Sequence, residues 1–250
     1  MTVRCCRRIA AGILAYLVGL MGGLAGAVAR HLRVTRNSPL TMWEPMYVFF
    51  RWLFRVSFVI WGRWKIKGRS HLPSNGGYIV AANHVSFIDP PIVGGALIRP
   101  AYFMAKAELF KTPVFGDAIP LVGAYPVKRG SPDRAAVKRT LDLLSRGEVV
   151  SIFPEGTRRP PGELGDAESG FGWLVYKARV PVVPIGITGS ADLLPRGARF
   201  LKTARVRVHI GEPLNFDDLW DAPDSRQAMK EIGVRTMTAI QSLIRTADDQ

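Results

Sequence analysis

Gly77-Tyr78-Ile79-Val80-Ala81-Ala82 runs directly into Asn83-His84-Val85-Ser86-Phe87-Ile88-Asp89-Pro90-Pro91. An apolar, strand-like segment thus empties into a polar cluster and a proline pair, the arrangement found where a strand of an α/β sheet ends and an active-site loop begins. Outward from this stretch, further strands are expected at Ala101 to Ala105, Ala124 to Val127, Val149 to Phe153, Val182 to Ile187 and Arg205 to Ile210. Helical stretches alternate with them. This alternation predicts an α/β domain: a single mixed, largely parallel sheet flanked by helices. One helix is well marked, with Ser131 suited to its N-cap, Pro132 to its first position, Val137, Leu141 and Leu144 as its apolar stripe and Gly147 at its end. A last helix is expected over Ser225 to Thr246.

His84 and Asp89 carry the chemistry of the quoted stretch. Five residues apart, they would stand about 140° apart on a regular helix, so they meet only if the backbone turns between them. In that geometry Asp89 accepts from one ring nitrogen of His84 and leaves the other as a base. A lone pair of this kind is commonly structural, so other motifs must support it. Phe153-Pro154-Glu155-Gly156-Thr157-Arg158 offers a glycine for close backbone approach and an arginine able to fork onto phosphate. Gly123-Ala124-Tyr125-Pro126-Val127-Lys128-Arg129 is a second cationic turn, and Val180-Pro181-Val182-Val183-Pro184-Ile185 reads as a buried strand with a bent start. Ser86 suggests a serine hydrolase, but no Gly-x-Ser-x-Gly elbow occurs in the chain. His31, His71 and His209 are dispersed, with no metal-ligand spacing, so no metal is predicted.

Charge separates the two ends of the chain. The formal net charge is +14, and residues 1–70 hold 12 Lys or Arg against one acid, Glu44, while the remaining 180 residues hold 22 against 19. The basic excess therefore sits beside apolar stretches and forms no phosphate-tracking face on the body, which argues against nucleic acid and for an anionic lipid surface. Ile9 to Ala29 is a run of 21 uncharged residues flanked by arginines, long enough to cross a bilayer, although its five glycines weaken it as a helix. Spanning the membrane and lying in its interface both fit. Tyr47 to Trp64 is rich in Phe and Trp and carries Arg51 and Arg55 on one helical face, which predicts an interfacial helix whose arginines reach lipid phosphates; a core-packing amphipathic helix is the alternative. Cys5 and Cys6 both precede these segments, so no disulfide staples the body and a reducing interior is compatible. The expected organisation is a membrane-associated N-terminal part, residues 1–66, and a catalytic domain, residues 67–250.

The ordered motifs resemble the glycerolipid acyltransferases, the lysophosphatidic acid acyltransferases and their relatives, whose hallmark is asparagine-histidine, four residues, then aspartate. The resemblance runs from about Lys67 to Gly211 and includes all four family blocks in order. It implies transfer of a fatty acyl group from acyl-coenzyme A or acyl carrier protein to the sn-2 hydroxyl of lysophosphatidic acid, at a membrane, with the catalytic domain facing the cytoplasm. It also implies roles: His84 as base and Asp89 as its orienter, with Asn83, Lys106, Arg129, Glu155, Gly156, Thr157 and Arg158 around the acceptor. Lys106 has a second reading, a solvated lysine at a strand end. Lys128 and Arg159 depart from the commoner family forms and add positive charge, which leaves the acceptor headgroup open. No bound cofactor is expected, since the thioester is a co-substrate. The competing class is a non-catalytic membrane protein that uses the same fold to bind anionic lipid.

Overall fold

The computed structural model describes residues 44–113, 115–128 and 133–248. Helix α1 (Glu44–Ile60) precedes a seven-stranded sheet of β1 (Lys65–Lys67), β2 (Tyr78–Ala82), β3 (Ala101–Lys106), β4 (Ala124–Val127), β5 (Val149–Ile152), β6 (Val182–Thr188) and β7 (Arg207–Ile210). The strand order is β1-β7-β6-β2-β5-β3-β4. Every pairing is parallel except β6 with β7, so the sheet is mixed and largely parallel as expected. Helix α2 (Asp89–Ala96) crosses over from β2, and α3 (Arg134–Ser145), α4 (Ser169–Ala178) and α5 (Ser225–Asp248) complete the longer helices.

Strand β2 explains why the sheet sits where it does. All five of its residues are buried, and the period of two sends Tyr78, Val80 and Ala82 to one face and Ile79 and Ala81 to the other. The first face packs on Phe58 of α1 and on Ile92 and Val93 of α2. The second packs on Leu143 and Leu144 of α3, Leu174 and Val175 of α4, and Ile232 and Ile240 of α5. Two helical layers thus enclose the central strands, each buried aliphatic side chain contributing about 1.5–3 kcal/mol.

Several expectations are revised. The N-cap of α3 is Asp133: its Oδ1 accepts from the amides of Ala135 and Ala136, both at 3.1 Å, and its Oδ2 from the amide of Lys128 at 2.9 Å. Ser131, the expected cap, lies outside the described residues, as do Pro132, Arg129 and the N-terminal segment with Cys5, Cys6 and Ile9 to Ala29. Gly147 does end α3, at φ +81°. The expected boundary between residues 66 and 67 falls inside β1, which pairs with β7, and α1 buries Tyr47, Phe50, Leu53 and Phe58 against the body. Arg55 of α1 does not reach outward for lipid but donates to the carbonyls of Gly95 at 2.8 Å and Leu97 at 3.2 Å. Among the described residues no helix is long and apolar enough to cross a membrane.

Candidate active site

Because β2, β5, β3 and β4 run parallel and adjacent, their carboxyl ends share one edge of the sheet. That edge collects the turn after β2 with His84, the turn after β5 with Glu155, and Lys106 and Lys128 at the ends of β3 and β4.

The chain turns between His84 and Asp89, as their chemistry requires. His84 Nδ1 donates to Asp89 Oδ2 at 2.9 Å, and the same oxygen accepts the amides of Val85 at 2.8 Å and Ser86 at 2.7 Å. Asp89 is fully buried, 0% exposed, and opens α2, where the helix N-terminus favours a negative charge. A carboxylate in that position fixes the imidazole with its proton on Nδ1 and its lone pair on Nε2. The Val85 and Ser86 amides, committed to Asp89, are not available to hold an oxyanion. Ser86 Oγ donates to the carbonyl of Leu194 at 2.9 Å, so this hydroxyl is occupied structurally rather than poised for attack.

Three further contacts hold His84, and sequence reasoning did not find them. The ring stacks on Phe153, centroids 4.1 Å apart and planes 20° from parallel. Its backbone amide donates to Glu155 Oε1 at 3.0 Å, and its carbonyl accepts the amide of Arg159 at 2.8 Å. Phe153 stands in the quoted motif, where it reads only as the end of a strand; the structure places it one residue beyond β5, at the head of the loop that carries Glu155.

The residues expected around the acceptor divide into two groups. Glu155, 1% exposed, uses both carboxylate oxygens inward: Oε1 on His84 and Oε2 on the Gly165 amide at 3.2 Å, with Arg159 Nε at 3.5 Å. Burial raises its pKa from the ordinary carboxylate value, outweighing the two amides. Asn83 also turns inward. Its Nδ2 donates to the Ile187 carbonyl at 2.9 Å and its Oδ1 accepts the Ile187 amide at 2.8 Å, tying the end of β2 to β6. These two residues tie the loop down through bonds within the protein. Gly156 sits at φ +66°, where a Cβ would meet Glu168 Cγ at 2.9 Å. Arg158, by contrast, lies at the rim, its guanidinium 3.7 Å from the centroid of the Phe87 ring, which is 60% exposed. Thr157 is exposed beside it. Lys106 is exposed and faces Glu108 at 3.9 Å, a surface pair of little energetic weight. Phe153 and Gly156 also line an open groove of about 1800 Å³ between α3, α4 and α5, walled by Leu141, Leu164 and Met237.

A family profile described as Acyltransferase matches residues 63–188, half of the chain and all of the loops just described. The chain belongs to the acyltransferase family. Relatives of this acyltransferase include the 1-acyl-sn-glycerol-3-phosphate acyltransferase of Bacillus subtilis, 30% identical over 73% of the chain and 89% of the relative. A chloroplastic 1-acyl-sn-glycerol-3-phosphate acyltransferase of Brassica napus is 36% identical over 60% of the chain and 44% of the relative, so the chain spans less than half of that protein. The lyso-ornithine lipid O-acyltransferase of Pseudomonas aeruginosa is 32% identical over 60% of the chain and 64% of its own length. Among solved structures, the 1-acyl-sn-glycerophosphate acyltransferase PlsC of Thermotoga maritima superposes with a TM-score of 0.68 at 22% identity, covering 96% of the chain and 98% of that protein, and so shares the fold. In this acyltransferase the histidine of the asparagine-histidine block is the residue that the surrounding contacts converge on.

Proposed function

We propose that this acyltransferase moves a fatty acyl group from a thioester, acyl-coenzyme A or acyl carrier protein, to the sn-2 hydroxyl of lysophosphatidic acid at a membrane surface, with the catalytic body on the cytoplasmic side. The observation that carries the proposal is the His84 imidazole, clamped by Asp89 at 2.9 Å and by Phe153 behind it, beside the cationic rim of Arg158. Nε2 takes the acceptor's hydroxyl proton as that oxygen attacks the thioester carbonyl, and Asp89 stabilises the imidazolium. Collapse of the tetrahedral intermediate breaks the carbon–sulfur bond, and the thiolate takes the proton back from Nε2. A thiol with a pKa near about 8.5 leaves readily, so the scheme uses no covalent acyl-enzyme, no metal and no bound cofactor. Arg158 supplies the charge for the acceptor phosphate, and the apolar groove beside Phe153 suits the donor's acyl or pantetheine arm.

The activities for which the Bacillus and Brassica relatives are named support lysophosphatidic acid as acceptor. The Pseudomonas relative favours a second reading, a lyso-ornithine lipid acceptor. One experiment separates them: membranes carrying the enzyme are given a labelled thioester and a panel of lysolipids, and the product is identified. The wild type is expected to yield phosphatidic acid, with His84→Ala slower by about 10²–10⁴-fold. Equal turnover in His84→Ala rejects the base, and a product from lyso-ornithine lipid alone rejects the acceptor.

A further inference from the structure

The turn that carries the base also presents an aromatic ring to solvent. Between Ser86 and Ile88, 2% and 8% exposed, Phe87 stands 60% exposed. A single exposed Phe is ordinary on a protein surface. What sets this one apart is its neighbour: Cζ of Arg158 lies 3.7 Å from the ring centroid, whereas the arginines over Tyr47, Tyr78 and Tyr125 stand at 5.8, 5.6 and 5.5 Å. At 3.7 Å the planar guanidinium is in van der Waals contact with the face of the ring. Stacking engages the face of that group, and recognition of an oxyanion uses the N–H fork in its plane, so one arginine can do both at once.

Both partners of the stack are tied to the backbone of His84. On the Phe87 side, Asp89 Oδ2 accepts the amides of Val85 and Ser86 as well as His84 Nδ1. The Asp89 amide donates to the Ser86 carbonyl at 3.2 Å, and Ser86 Oγ donates to Leu194. Arg158 comes from the loop after β5, where the next residue, Arg159, donates its amide to the His84 carbonyl and Glu155 accepts the His84 amide. The backbone on each side is therefore fixed, and the long Arg158 side chain is what remains to be ordered. Its rotamer entropy would be lost when an anion binds; packing on Phe87 removes part of it beforehand.

The chemistry of the proposed acceptor gives this arrangement a use. In lysophosphatidic acid the hydroxyl to be acylated and the phosphate hang on neighbouring glycerol carbons, so base and cation must be held at one separation. His84 and Phe87 stand three residues apart in a single clamped turn. We infer that Phe87 is a positioning residue: its ring is the platform that holds the Arg158 guanidinium for the acceptor phosphate while Nε2 of His84 meets the adjacent hydroxyl. Phe87 thereby favours acceptors that carry a phosphate beside the reacting hydroxyl. This role presupposes the acceptor proposed above and is indifferent to the donor.

The test compares wild type with Phe87→Leu, which stays apolar but loses the aromatic face, and Phe87→Tyr, which keeps it. Two detergent-dispersed short-chain acceptors are used, lysophosphatidic acid and the monoacylglycerol that lacks its phosphate, so that membrane contact does not enter the measurement. In Phe87→Leu the KM for lysophosphatidic acid is expected to rise about three- to tenfold, with kcat and the donor KM unchanged. Its kcat/KM for monoacylglycerol should match wild type, and Phe87→Tyr should restore the KM for lysophosphatidic acid. An unchanged KM in Phe87→Leu, or no rescue by Phe87→Tyr, would overturn the platform. A fall in kcat on both acceptors would overturn it too, because the ring would then serve only the fold of the His84 turn. A wild type that does not favour lysophosphatidic acid over monoacylglycerol would overturn the proposed acceptor and the platform together, a result distinct from the other two.

Discussion

Replacing Glu155 with Gln tests whether this carboxylate binds substrate or holds His84 in place. In the structure one oxygen accepts the His84 amide at 3.0 Å and the other the Gly165 amide at 3.2 Å. Gln keeps one acceptor and turns an NH2 group toward the second N–H. One hydrogen bond to a charged acceptor is lost, about 1.5–3 kcal/mol, and a buried donor is left facing a donor. Displacement of the His84 backbone then misplaces Nε2, and a shift of about 1 Å costs on the order of 10²-fold in rate. Stability should change less than activity, because the substitution also removes a buried carboxylate whose pKa burial has raised. For a raised pKa, the stabilising contribution is present below the unfolded value and is lost as pH rises through the folded one. Wild type should therefore exceed Glu155→Gln in Tm by more at pH 4 than at pH 7. Steady-state acyl transfer, followed by thiol release, is expected to show kcat down by about 10–100-fold with KM for the acceptor nearly unchanged. A KM raised tenfold with kcat intact would return Glu155 to the acceptor site and refute the clamp.

Asn83→Ala removes both bonds to Ile187 and leaves buried backbone groups unsatisfied, at a cost of about 2–4 kcal/mol. Calorimetry should show a Tm lower by roughly 4–16 °C; a change under 2 °C would mean that β6 does not need this tie. Gly156→Ala forces a Cβ into φ +66° and against Glu168, so a loss of about 1–2 kcal/mol and reduced kcat are expected, and a stabilised variant would contradict the geometry. Asp133→Ala removes the cap of α3, about 1 kcal/mol. The Lys128 amide first, with those of Ala136 and Ala135, lowers the Asp133 pKa. Its contribution is thus present above the unfolded pKa and fades as pH falls through the folded one, so the Tm deficit of this variant should be full at pH 7 and shrink as the pH falls below the ordinary carboxylate range.

Much of the fold was legible because it is local. Continuous apolar runs marked β2, β5 and β6, buried on both faces, and residue type with turn chemistry singled out His84 and Asp89. Strand β1 was not legible: Lys65-Ile66-Lys67 is too short to show a period and is a strand because β7 offers it an edge. Arg51 and Arg55 fitted lipid contact and core packing alike, and only the arrival of the α2 carbonyls beside α1 turned Arg55 inward. In the third motif Glu155 and Arg158 look equally able to meet a ligand, yet one is buried against the His84 backbone and the other stands at the rim.

The sequence by itself determined which chemistry was present: an imidazole, a carboxylate at the right offset, cations in nearby turns and strands stiff enough to carry them. Tertiary structure alone decided which donor meets which acceptor. The amide of His84 finds Glu155 across 71 residues because β5 pairs beside β2, and strand order is set by how two apolar faces are covered, not by the polar residues that it brings together.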